Sequence, residues 1–159
     1  MLDQEKFFNT YKVQEAFEDS GLSWDTLEKI YDDYKSRLPE MKKMADHLQE
    51  EISKEIDFHV HSIHNRCKNP EHLIEKIIRK VGVEKRQKYK SINEKNYLRI
   101  VRDLMGVRIL ILSKEEWRTV HDFLLKVDED PRYDICMAEM PRAYIRYGDR
   151  DIFNYTIHK

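Results

Sequence analysis

The stretch RCKNPEHLIEKIIRKV, residues 66–81, decides how the chain is read. Asn69, Pro70 and Glu71 stand in the order of a helix start: a capping carboxamide, a proline at the first helical position and an acid in the first turn. Leu73, Ile74, Ile77 and Ile78 then mark a buried face at helical spacing. Just before the cap, FHVHSIHNR (58–66) alternates apolar and polar side chains partway and holds no helix starter, which predicts a short strand. A strand that runs straight into a capped helix puts both kinds of element in one core.

Toward the N-terminus the pattern is helical. Leu2, Phe7, Phe8, Tyr11, Val13, Ala16 and Phe17 predict one helix that stops at Asp19, Ser20 and Gly21. Ser23 caps a second helix through Trp24, Leu27, Ile30, Tyr31, Tyr34 and Leu38, after which Pro39 either kinks it or begins another through Met41, Met44, Leu48 and Ile52. Toward the C-terminus, the polar run Glu84–Lys95 reads as a solvated connector or a helical extension, and Tyr97 to Val101 as a short helix. LMGVRILIL (104–112) is an apolar run of strand length with one charge, the pattern of a central strand. Ser113 and Glu116 form a capping-box pattern for a helix through Trp117, Val120, Phe123 and Leu124, and Tyr133 to Tyr147 holds two strand-like segments around Pro141. The expected fold is α+β, a helical N-terminal third followed by a mixed β-sheet flanked by helices. Residues 1–57 read as helices packing on a core formed by 58–159, within one domain.

Composition narrows the classes of function. The 159 residues are 40% hydrophobic, 11% aromatic and 37% charged, with only 4 Gly and 4 Pro, which excludes a disordered chain and suits one helix-rich core. Cys67 and Cys136 show no CxxC spacing, so neither a disulfide framework nor a zinc site is expected. His59, His61 and His64 do not share one strand face, which also argues against zinc. No apolar stretch approaches the length of a membrane span, and a cytoplasmic location is expected. The net charge of −1 conceals an acidic front and a strongly basic middle. A basic segment within a near-neutral chain points to a local anion site more than to a nucleic-acid-coating surface.

Two segments carry that anion chemistry. Arg66 and Lys68 are two residues apart at a strand end, next to a helix N-terminus whose free N–H groups and dipole attract phosphate, and Lys76 lies about two turns along that helix. In RDLMGVRI, Asp103 stands at the entrance of a buried strand and Arg108 within it, both costly there unless paired or bound to something. A carboxylate beside phosphates suits Mg²⁺, and a planar guanidinium suits phosphate or the face of a base. The plain alternatives are a surface basic cluster and an Asp103–Arg108 salt bridge.

Taken in order, R-x-K at Arg66 and Lys68, a lysine on the next helix at Lys76, and D-[LI]-x-G-[VI]-R from Asp103 to Arg108 resemble the RelA/SpoT-type (p)ppGpp synthetase domain, over residues 58–127. The resemblance implies a nucleotidyltransferase-like fold. It also implies transfer of pyrophosphate from ATP to the 3′-hydroxyl of GDP or GTP. By it, Arg66 and Arg108 sandwich the adenine, Lys68 and Lys76 hold the ATP phosphates, and Asp103 is the catalytic ligand of Mg²⁺. Asn69 replaces the serine common in the family, and the spacing from Arg66 to Asp103 is longer than in compact members. The G-Y-x-S-x-H signature that stacks on the acceptor guanine and the later catalytic glutamate are both absent, so the resemblance implies an N-terminal piece of a longer enzyme, with Tyr144, Ile145 and Arg146 on the strand leading to the missing part. Rival readings are a toxin that pyrophosphorylates another nucleotide or tRNA hydroxyl, and a non-catalytic module that binds RNA or a protein partner.

Overall fold

A computed structural model of the chain describes residues 2–56 and 60–132. The strand-like segments around Pro141, the Tyr144–Arg146 strand, Phe58 and His59 lie outside the described residues. The order is α1 (Gln4–Tyr11), α2 (Gln14–Ser20), α3 (Trp24–Ile56), β1 (Ser62–Cys67), α4 (Pro70–Gly82), α5 (Tyr97–Ile100), β2 (Met105–Leu110) and α6 (Trp117–Glu129), a mixed α+β chain. Among the described residues no helix is long and apolar enough to cross a membrane.

The first expected helix is two helices. Lys12 takes a left-handed conformation (φ 54°) and closes α1 by donating its N–H to the Phe8 carbonyl. The aromatic cluster explains the break. Phe8 and Phe17 pack with tilted rings whose centroids are 5.1 Å apart, and both meet Trp24. In one continuous helix residues nine apart would lie on opposite faces, so the rings meet only because the chain turns back between them.

Ser23 caps α3 as expected, accepting from the Thr26 N–H at 3.2 Å. Pro39 neither ends that helix nor starts another: α3 runs through it to Ile56. A proline inside a helix forgoes one i→i−4 bond. Leu27, Ile30 and Tyr34, at successive turns of α3, are wholly buried in one cluster with Leu73, Ile74, Ile77 and Ile78 of α4. Each such side chain contributes on the order of 1.5–3 kcal/mol by leaving water, which holds α3 and α4 together against their lost chain entropy.

Gly82 ends α4, and a Cβ there would overlap the backbone carbonyl of Ala16 on α2. The two helices therefore approach backbone to backbone. The run after α4 is a largely exposed connector rather than a helical extension, but it is anchored: a 3-10 turn forms at Gln87–Tyr89, and Tyr89 and Ile92 are buried in the same cluster. Spacing concealed this, because two apolar residues among lysines show no period.

β1 and β2 pair in an antiparallel two-stranded sheet. Its outer backbone bonds run from His61 N–H to the Leu110 carbonyl and from Lys68 N–H to the Leu104 carbonyl, both 2.8 Å. Among the described residues the sheet consists of these two strands, and the further strands expected around Pro141 lie outside them. Arg108 and Leu110 alternate outward and are exposed, so the apolar run does not mark a strand buried on both faces. The capping box at Ser113 and Glu116 forms as expected, closing a 3-10 turn that leads into α6.

By its internal contacts the chain divides into two compact units, residues 1–48 with 65–107 and residues 49–64 with 108–159. The first holds the core just described. In the second, Ile52, Ile56, Ile63, Phe123 and Val127 are buried.

Candidate functional site

Within the first unit, three of the residues singled out in the sequence converge. Lys68 follows the end of β1, Lys76 lies on α4, and Asp103 directly precedes Leu104 and β2. The Lys68 ammonium is 3.3 Å from one Asp103 oxygen, and the Lys76 ammonium contacts the other. Lys76 and Asp103 are 27 residues apart in sequence, so only folding joins them. The lysine side chains are sheltered, 17% and 16% exposed, whereas the Asp103 side chain is 48% exposed. The two cations thus lie behind one open carboxylate.

Each element places its side chain for a separate reason. The Asn69 carboxamide accepts the N–H groups of Glu71 and His72, and the Asn69 carbonyl accepts that of Leu73. Pro70 has no N–H to offer. The first turn of α4 is therefore satisfied within the chain. This corrects the expectation that free N–H groups at this helix end would receive phosphate: the helix supplies its dipole, and the lysines must supply the hydrogen bonds.

Tyr34 is the residue that sequence reasoning missed. Its hydroxyl, carried in by α3, donates to the Lys68 carbonyl at 2.8 Å and lies 3.2 Å from the Leu104 carbonyl. Leu104 also accepts the Lys68 N–H, so one buried tyrosine fastens the backbone beneath both Lys68 and Asp103. Burial pushes the Tyr34 phenol up to about 12, keeping it a donor. Tyr34 sits seven residues after Leu27 on a buried stripe, and nothing in that pattern separates a clamp from a packing residue.

Burial raises the Asp103 carboxyl, but the hydrogen bonds and charges of Lys76 and Lys68 outweigh it and hold the group below its ordinary value. Burial raises Tyr89 also, and the Asp103 carboxylate adds to the rise. Arg66 is exposed on β1, and its side chain makes no ion pair or hydrogen bond among the described residues. Arg108, exposed on β2, belongs to the other compact unit.

A divalent cation has one carboxylate to bind here. Among the described residues no three His, Cys, Asp or Glu side chains gather as a metal site, and both Asp103 oxygens already face ammonium groups. Asp103 alone does not suit a metal. It suits magnesium that arrives on a polyphosphate, whose oxygens fill further ligand positions and offer the two lysines another partner. No protein-family model, curated protein or solved structure matches the chain.

Proposed function

We propose that Lys68 and Lys76 bind the phosphates of ATP, that Asp103 takes the accompanying magnesium ion, and that the chain supplies the donor half of a (p)ppGpp synthetase on a nucleotidyltransferase-like fold in the cytoplasm. The observation that carries this reading is the convergence of two sheltered ammonium groups and one open carboxylate from three separate elements. Little in a helix-rich core requires such a cluster, since burying cations costs desolvation that a hydrophobic pair would not. Sheltered lysines also attract phosphate more strongly than solvated ones, because the effective dielectric around them is lower.

In the proposed reaction the 3′-hydroxyl of GDP or GTP attacks the β-phosphorus of ATP and releases its proton to solvent, and the bond from that phosphorus to the bridging oxygen breaks, so that AMP leaves. Such transfers ask the protein mainly to position the reactants and to offset developing charge. Lys68 and Lys76 would orient the donor chain for in-line attack. Magnesium, when bound, neutralises charge on the donor phosphates.

Calorimetric titration with ATP in the presence of magnesium tests this directly. Each charge-assisted bond contributes about 1.5–3 kcal/mol, so replacing both lysines, Lys68→Met with Lys76→Met, should weaken binding at least about a hundredfold. Unchanged affinity in that variant would refute the reading.

A further inference from the structure

We propose that Asp103 makes this site selective for polyphosphates that carry a divalent cation, by occupying both lysines as an internal anion until a metal draws it away. The inference rests on reading Lys68 and Lys76 as a phosphate-binding pair. Its basis is the arrangement of the free chain. One carboxylate oxygen faces each ammonium, and the carboxylate is the open member of the cluster while the cations are the sheltered ones. An incoming anion therefore meets Asp103 before it meets either lysine.

Two kinds of ligand then fare differently. A metal-free polyanion must displace the carboxylate and leaves it beside phosphate oxygens, with like charges adjacent and no cation in return. With a metal-bearing polyphosphate the lysines pass to phosphate oxygens while the carboxylate passes to the metal, and every charge keeps a partner. The site's own anion thus penalises the first ligand and helps hold the second. Tyr34 favours this exchange because it fastens the backbone at Lys68 and Leu104, so side chains can change partners without the strand ends moving.

The test titrates the whole chain with sodium tripolyphosphate, once in EDTA and once in excess magnesium, for the parent, Asp103→Asn and the double lysine variant. Thermal melts confirm that each variant is folded, and Asp103→Ala serves as a second carboxylate-free form. In EDTA, both Asp103 variants should bind tripolyphosphate about fivefold tighter than the parent, the size of one partly screened charge interaction. In magnesium the order should reverse. If the lysine variant loses binding but the Asp103 variants gain none in EDTA, the internal-anion idea fails and the phosphate reading stands. If the lysine variant binds like the parent, or no form binds in magnesium, both fall together.

Discussion

Two clusters along α4 each gather cations around a carboxylate, Glu84 at the C-terminal end and Asp103 toward the N-terminal end, and they are built differently. At the C-terminal end Glu84 contacts Arg79, Lys80 and Arg86, all within a few residues of it. The Lys80 hydrogen bond leads in holding its carboxyl below the ordinary range, with Arg86 and Arg79 adding to it. Glu84, 25% exposed, is as sheltered as Lys80 at 21% and more sheltered than Arg79 at 42% and Arg86 at 63%. Cations at a helix C-terminus also complement its dipole, so this cluster finishes a helix. At the N-terminal end both cations are sheltered, the anion is open, and the carboxylate comes from distant sequence. A carboxylate wrapped by local cations is structural, whereas cations gathered behind an open carboxylate leave charge for a ligand.

This contrast is open to direct attack. The largest expected effect belongs to Gly82→Ala, because the added methyl meets the Ala16 backbone carbonyl and α2 must move off α4. Overpacking against backbone should cost about 2–3 kcal/mol, read as a lowered midpoint in urea or heat. If stability is unchanged, the two helices are not in the close contact described.

Tyr34→Phe keeps the buried ring and removes the clamp. Losing the hydroxyl from two backbone carbonyls should cost about 1–2 kcal/mol in unfolding and weaken magnesium-ATP binding several-fold. The same loss of stability with unaltered binding would make Tyr34 a core residue without a part in positioning the site.

Glu84→Gln separates the ends of α4 by ligand binding. Magnesium-ATP affinity should stay within about twofold, since Glu84 and its cations are a local surface network. A drop comparable to that of the lysine variants would mean that the two clusters act together and would dissolve the comparison.

Acid titration gives the smallest effect. The folded-state carboxyl of Asp103 lies below its ordinary 3.8. Its contribution is therefore complete above that value and is lost as pH falls through the folded value beneath it. The group is half exposed, so screening reduces the contribution to a few tenths of a kcal/mol. As pH falls below about 4 the parent should lose stability slightly more steeply than Asp103→Asn. Parallel curves would show that the lysine contacts do not persist in solution.

Much of the local structure was legible in the sequence. Asn69-Pro70-Glu71, Ser23 and the Ser113/Glu116 pair each specify a helix start through side chains next to the backbone groups they satisfy, and all three form. The break after Tyr11, the buried Tyr89 and Ile92, and the outward face of β2 were not legible, because each depends on what packs against the segment. The site divides in the same way. Lys68, Lys76 and Asp103 could be named from residue type and order, but neither their ion pairs nor the satisfied first turn of α4 follows from spacing.

The sequence by itself determined where helices begin, which faces of α3 and α4 are apolar, and which residues can carry charge to a phosphate, because capping and periodicity act over a few residues. Only the tertiary structure decided that Asp103 reaches both lysines, that Tyr34 binds the backbone beneath them, and that the carboxylate rather than the cations faces outward. Those outcomes depend on contacts between residues far apart in the chain, where distance and burial set the strength of a charge and the one-dimensional order of residues does not.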